Sequence, residues 1–88
     1  PESEGQEIMH ETHLIEPVIK GINTHARKEG AKRVSKVKLK VGMLTAVGED
    51  SFRETFNILA KGTLLEGAVL EITFFPGSRV EVVSFDIE

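Results

Sequence analysis

The sequence contains no cysteine. This absence excludes disulfide bonds, thiol nucleophiles and zinc or iron–sulfur sites built on cysteine ligands. Any metal must therefore be held by histidine, carboxylate or backbone ligands. No apolar stretch approaches the roughly 20 residues that a membrane-spanning helix needs, and the N-terminus lacks the basic and apolar regions of a secretory signal. These absences predict a cytoplasmic protein without a membrane segment.

The sequence also lacks the motifs of the common enzyme classes. It has no glycine-rich loop of the kind that cradles phosphate groups, and Ser51, Ser78 and Ser84 have no recognisable base partner. The formal net charge of −3 argues mildly against a dedicated nucleic-acid binder. We therefore expect neither an enzyme nor a nucleic-acid-binding protein.

Length and composition indicate one globular domain. The 88 residues are 40% hydrophobic and 28% charged, which is the ordinary range for a chain with a single core. Pro1–Ile8 is acidic, has no basic residue and offers a core little to pack against. We predict that residues 1–8 are a flexible tail or an appended remnant, and that residues 9–88 form the domain.

Hydrophobic spacing predicts the secondary structure. An amphipathic helix is expected over Thr12–Glu29, where Pro17 and Gly21 should either shift the start toward Glu16 or bend the helix. Alternation of lysine with apolar residues predicts a strand over residues 36–41. A second helix follows from Glu49, and its amphipathic pattern carries Phe52, Thr55, Phe56 and Leu59.

The last third of the chain indicates two further strands. Ala68–Phe75 and Arg79–Ile87 are rich in β-branched and aromatic residues, and Phe75-Pro76-Gly77-Ser78 suits a type II turn, so we predict a hairpin. The predicted order is helix, strand, helix, strand, strand. The fold class is then a two-layer α/β sandwich, with two helices packed on a three-stranded, mainly antiparallel sheet.

Four segments carry a family resemblance. They are Met9-His10-Glu11, the helix end Lys28–Val34, the strand Val37–Gly42, and Leu59–Ala68. Together they resemble the HypA/HybF family of nickel metallochaperones. In that family a zinc domain with two Cys-x-x-Cys pairs is inserted between the last two strands, and here Pro76-Gly77 stands in its place. The resemblance thus implies a nickel-binding domain without the zinc domain, and no structural zinc.

The resemblance also implies a role and partners. Family members deliver nickel during maturation of nickel-iron hydrogenase, some also serve urease, and they work with the GTPase HypB. It implies nickel(II) as the bound metal, with a HypB-type GTPase and the hydrogenase large subunit as partners. Because a sheet that lost its inserted domain exposes an edge, a homodimer formed by strand exchange is a further hypothesis.

The implied nickel ligands lie at the Met-His-Glu segment. They are the His10 side chain, the backbone amides of His10 and Glu11, and the backbone nitrogen of Met9. Nickel(II) with strong nitrogen donors favours square-planar coordination, which such a set can supply. Met9 is not the first residue, so its nitrogen is an amide, and we expect weaker or rearranged binding. His13 lies three residues after His10 and shares its face if both are helical.

Several residues have competing interpretations. His25 is expected to face solvent. Gly48, Glu49 and Asp50 are a second place for a metal, but capping and compensation of the helix dipole explain them better. Met43 stands where the family usually has an acidic residue. Lys36, Lys38 and Lys40 could bind phosphate, but cross-strand pairing with Glu71 or Glu81 is the favoured interpretation.

Two function classes follow from these residues. The first is a nickel metallochaperone domain whose nickel binding depends on His10. The second is a metal-independent protein-interaction module that retains the fold. They differ in whether partner binding responds to nickel and to His10.

Overall fold

The computed structural model describes the backbone of residues 2–45 and 47–88, and the side chains of residues 12–45 and 47–88. Within those ranges the element order is α1 (Glu2–Lys28), β1 (Val34–Gly42), a 3-10 turn (Met43–Thr45), α2 (Glu49–Ala60), β2 (Val69–Phe75) and β3 (Val80–Ile87). This order and the two-layer class match the prediction.

Helix α1 begins earlier than predicted. Its backbone is helical from Glu2, so the predicted start at Thr12 is wrong. The added residues 2–11 include four glutamates, a glutamine and a methionine, all of which have high helix propensity. The helix also continues through Pro17, which cannot donate to the carbonyl of His13. The domain boundary at residue 9 stays a prediction.

The end of α1 forms a Schellman motif. Gly30 has a φ of 74°, the left-handed conformation that glycine adopts without a Cβ penalty. Its N–H donates to the carbonyl of Arg27 at 3.0 Å, and the N–H of Ala31 donates to the carbonyl of Ala26 at 3.0 Å. Gly30 thus stops the helix, as the sequence predicts, and satisfies two carbonyls that the helix leaves open.

The sheet is mixed, and its strand order is β2-β1-β3. β1 pairs in parallel with β2 and antiparallel with β3, so the predicted mainly antiparallel sheet is corrected to a mixed one. The predicted hairpin is wrong because β1 lies between β2 and β3. Parallel pairing of β1 with β2 is possible because α2 supplies the crossover that brings the chain back to the same end of the sheet.

Residues 76–79 cross the end of β1 rather than turning back beside β2. The N–H of Leu44 donates to the carbonyl of Gly77 at 2.9 Å, and the N–H of Gly42 donates to the carbonyl of Arg79 at 2.9 Å. Gly42 allows this close approach, since a Cβ at that position would overlap the Gly77 carbonyl. The predicted type II turn is also wrong, since Gly77 does not have the positive φ that this turn requires at its third residue. The Pro-Gly signal indicates a change of chain direction but neither the turn type nor the strand partners.

The core lies between the helices and one face of the sheet. α1 contributes residues at alternating steps of four and three, α2 contributes residues one turn apart, and β1 contributes alternate residues, as helix and strand geometry require. All are less than a tenth exposed. They include Ile15, Ile19, Ile22 and Ala26 of α1, Phe52, Phe56 and Ala60 of α2, and Val37, Leu39 and Val41 of β1.

Candidate metal centre and surface sites

The predicted nickel ligands lie in the first half of α1. The backbone of Met9, His10 and Glu11 is helical, while their side chains lie outside the part of the chain whose side chains the structure describes. In an α-helix each amide N–H donates to the carbonyl four residues earlier. The amides of His10 and Glu11, inside a helix that begins at Glu2, are therefore engaged in backbone hydrogen bonding.

His13 is the one candidate ligand whose side chain is described. It is exposed on α1. A helical spacing of three residues puts position 13 on the same face of α1 as position 10. Among residues 12–45 and 47–88 no three His, Asp or Glu side chains converge as a metal-binding group. A site at this helix would therefore draw on residues before Thr12.

The start of α2 is occupied by local interactions. Gly48 is the N-cap and has no side chain to cap the helix, so Glu49 and Asp50 in the first turn supply the negative charge that a helix N-terminus favours. The Glu49 carboxylate accepts a hydrogen bond from Nε of Arg53 at 3.0 Å, and Arg53 also donates to the carbonyl of Leu70. These contacts support helix-dipole compensation, rather than metal binding, as the role of the α2 start.

The second face of the sheet carries Lys36, Lys38 and Lys40, here called the lysine face. Nζ of Lys36 lies 2.9 Å from the Glu71 carboxylate, and Nζ of Lys38 lies 3.8 Å from it, which confirms the predicted pairing with Glu71. Glu81 instead pairs with Arg79 at 3.0 Å. β1 is the central strand, so these lysines do not protect an edge.

The ion pair between Lys36 and Glu71 shifts the pKa of both side chains. The hydrogen bond from Lys36 holds the pKa of the Glu71 carboxyl below its usual value, and the same hydrogen bond, with the charge of Glu71, raises the pKa of the Lys36 ammonium. Both side chains are partly exposed, so solvent weakens the pair. The lysine face is thus partly neutralised, which weakens the phosphate-binding interpretation.

The structure also has a groove that the sequence analysis did not identify. It lies between α1 and β3 and has a volume of about 430 Å³. We call it the α1–β3 groove. The signal that could have indicated it is the presence of Pro17 and Gly21 inside a helix, four residues apart. Its main lining residues are Pro17, Val18, Gly21, Ile22, Val82 and Phe85.

His25 and Met43 both lie on the surface, and exposure had been predicted for His25. His25 is exposed, and its ring meets that of Phe85 edge-on, with centroids 5.6 Å apart. Met43 is 59% exposed after the end of β1. None of the helices in the described residues is long and apolar enough to cross a membrane.

The chain is similar to known nickel metallochaperones in sequence and in structure. Residues 9–80 match the family model described as hydrogenase/urease nickel incorporation, metallochaperone, hypA. The chain is 40% identical over 70 residues to the hydrogenase maturation factor HypA of Beijerinckia indica, and 41% identical over 64 residues to that of Chlorobium limicola. These matches cover 80% and 73% of this chain, and 62% and 55% of the relatives.

Solved structures agree on the fold. The solution structure of the nickel metallochaperone HypA from Helicobacter pylori aligns with a TM-score of 0.74 and 15% identity, covering 88% of this chain and 96% of that one. A second solution structure, of a HypA protein, aligns with a TM-score of 0.74 and 17% identity, covering 91% and 97%. The chain spans about three fifths of the curated relatives it matches. On the extent of the family match, the chain belongs to the HypA family of hydrogenase and urease nickel-incorporation metallochaperones.

Proposed function

We propose that this chain is a nickel-carrying domain that acts in the maturation of nickel-iron hydrogenase, with nickel(II) as its cargo and no catalytic role. The observation that supports this function best is the family match over residues 9–80, which begins at Met9-His10-Glu11. By the same resemblance the domain acts in the cytoplasm with a HypB-type GTPase, passes nickel to the hydrogenase large subunit, and also serves urease.

The proposed ligands are nitrogen atoms at the start of the family match. The His10 imidazole, the amides of His10 and Glu11, and the Met9 nitrogen form the set, and nickel(II) favours a planar arrangement of such donors. His13 supports this proposal because its exposed imidazole lies less than one turn along α1 from His10. It supplies a replacement nitrogen ligand when one of the others is blocked.

The helical backbone from Glu2 bears directly on this ligand set. Amides that donate to carbonyls of residues 6 and 7 must give up those hydrogen bonds and release their protons to solvent before their nitrogens can bind nickel. If the chain instead began at Met9, its first four N–H groups would have no intrahelical partner, and the Met9 nitrogen would be a free amine. Residues 1–8 are therefore proposed to mask the site.

The connection at residues 76–79 supports the proposed domain boundary. It joins β2 to β3 directly across the end of β1, where the resemblance places the family's zinc domain. We propose that residues 9–88 are the nickel-binding domain without that insertion, and that this domain binds no structural zinc. Two open sheet edges, on β2 and β3, also support a homodimer formed by strand exchange. A monomer by light scattering at all micromolar concentrations would refute the dimer.

A nickel titration tests the function. Absorption and calorimetry should be recorded for this chain, for the same chain begun at Met9, and for the Met9-begun chain carrying His10→Ala. His25→Ala is the matched control, because His25 is also exposed on α1 but lies toward its C-terminal end. We expect the Met9-begun chain and its His25→Ala variant to bind one nickel with a square-planar band, and this chain to bind at least tenfold more weakly.

The two function classes give opposite results. Loss of binding in His10→Ala supports the metallochaperone domain. If the Met9-begun chain binds no nickel, or binds it equally well without His10, the proposed site is wrong. If none of these chains binds nickel, the metal-independent interaction module takes the place of the metallochaperone domain.

A further inference from the structure

The α1–β3 groove contains two residues that weaken its own helix. Proline within a helix costs about 3 kcal/mol and glycine about 1 kcal/mol relative to alanine. A Cβ added at Gly21 would meet no atom within 4 Å, and Gly21 does not have the positive φ that requires glycine. The fold therefore does not need glycine here. Its effect is to keep the surface of α1 open beside the groove.

Apolar side chains form the floor of the groove. Ile22 is 3% exposed, Val18 and Phe85 are half-buried, and Val82 is 42% exposed. These side chains come from α1 and from β3, whose outer edge is unpaired in the described sheet. Concave apolar surface at such an edge is typical of a protein interaction site.

Basic residues surround one side of the groove. A second depression on α1 is lined by Lys20, Thr24 and Lys28, and it shares Gly21 and His25 with the groove. Among the described residues no acidic side chain lines either depression. The complement of this surface is a segment that carries both apolar and acidic side chains.

Lys20 remains available for such a segment. Its Nζ lies 3.4 Å from the Glu16 carboxylate, but the two side chains are 76% and 49% exposed. An exposed ion pair between residues four apart on a helix contributes only about 0.3–0.5 kcal/mol. Lys20 can therefore exchange Glu16 for a carboxylate of a partner at little cost.

We propose that the α1–β3 groove docks a short acidic, amphipathic segment of a partner protein. The apolar side chains of the segment enter the groove beside Gly21 and contact Ile22 and Phe85, and its carboxylates pair with Lys20 and Lys28. This interaction uses none of the proposed nickel ligands, so its test is independent of the test of the nickel site.

The test is a titration of the ¹⁵N-labelled chain followed by amide chemical shifts. The probe is a synthetic amphipathic peptide of Glu and Leu, and the matched control peptide has Lys in place of Glu. We expect the Glu peptide to shift the amides of Gly21, Ile22 and Val82. The Lys peptide should produce no such shifts.

Variants separate the apolar and charged parts of the docking surface. Gly21→Leu fills the open space with a good helix former, and Lys20→Glu/Lys28→Glu reverses the charge. Each should weaken peptide binding about tenfold or more, which corresponds to about 1.4 kcal/mol. Lys61→Glu changes an exposed charge after α2 and should leave binding unchanged. Circular dichroism confirms that each variant is folded.

Three results would overturn the proposal. They are no shift of the groove amides with the Glu peptide, equal binding of the Lys peptide, and full affinity in the charge-reversed variant. If the groove amides instead shift with protein concentration alone and light scattering shows a dimer, the occupant is a second copy of this chain. An acidic partner is then excluded.

Discussion

Replacing Gly42 with alanine should destabilise the fold, because the connection from β2 to β3 passes directly over this residue. A Cβ at position 42 would overlap the carbonyl of Gly77 and lie 2.8 Å from the nitrogen of Ser78. Both atoms belong to backbone, so a side-chain rotation cannot relieve the overlap. The connection itself has to move away from β1.

The magnitude follows from what that movement disturbs. Two backbone hydrogen bonds, both of 2.9 Å, hold the connection against the end of β1. Overpacking of this kind costs about 1–3 kcal/mol, and each weakened hydrogen bond adds about 0.5–1.5 kcal/mol. Alanine restricts the unfolded chain relative to glycine, which offsets about 0.4–1 kcal/mol. We expect Gly42→Ala to lower the free energy of unfolding by about 1–5 kcal/mol.

Thermal and urea unfolding followed by circular dichroism measure this change. The chain has no tryptophan or tyrosine, so tryptophan fluorescence is not an option. For a domain of this size 1 kcal/mol corresponds to roughly 4–8 °C in Tm. Gly21→Ala is the matched control, since its Cβ meets open space within α1 and should raise the stability by up to about 1 kcal/mol. Equal stability of Gly42→Ala and the unmodified chain would refute the close crossing.

Two further predictions concern polar contacts. Oδ1 of Asn23 accepts a hydrogen bond from the Leu64 N–H at 2.9 Å, and Asn23→Ala removes this acceptor. The variant should lower the free energy of unfolding by about 1–3 kcal/mol and speed amide exchange at Leu64. Asn57→Ala, at an exposed position of α2, is the control and should change neither. Lys36→Met should flatten the pH dependence of urea unfolding. The lowered pKa of Glu71 stabilises the fold above pH 4.5, its ordinary value, and this contribution is lost as the pH falls through the pKa of the folded state. The raised pKa of Lys36 stabilises the fold below pH 10.5, its ordinary value, and this contribution is lost as the pH rises through the pKa of the folded state. An unchanged acid and alkaline dependence in Lys36→Met would show that the pair contributes nothing.

Local sequence patterns predicted most of the elements. The alternation in β1 placed Val37, Leu39 and Val41 on the core face, and the spacing in α2 placed Phe52 and Phe56 there, because the periods of strands and helices are fixed by backbone geometry. The start of α1 was predicted too late, because the apolar helical spacing begins at Leu14 and the acidic residues 1–8 offer a core little to pack against, although their backbone is helical from Glu2.

The candidate sites were also predicted in part from the sequence and found in part only in the structure. Sequence alone predicts Met9-His10-Glu11 and His13 as nickel ligands, from their spacing and the family resemblance, and this assignment stays a prediction. The α1–β3 groove was missed because Val82 and Phe85 reach α1 only through the fold. Pairing of the lysine face with Glu71 or Glu81 was anticipated from the sequence. The register places Glu71 opposite Lys38 and Glu81 opposite Lys40, and the ion pairs decide between them, because Glu71 pairs with Lys36 whereas Glu81 pairs with Arg79.

By itself the sequence determined the family, through segments that resemble it and through the family match over residues 9–80. It also determined the order of the elements and most of the core residues, since these follow from local periods. Only the tertiary structure decided that β1 is the central strand, that residues 76–79 cross its end, and that a groove opens between α1 and β3. Turn residues such as Pro76 and Gly77 specify how the chain bends. Which strands then become neighbours depends on non-local burial, which a local pattern does not encode.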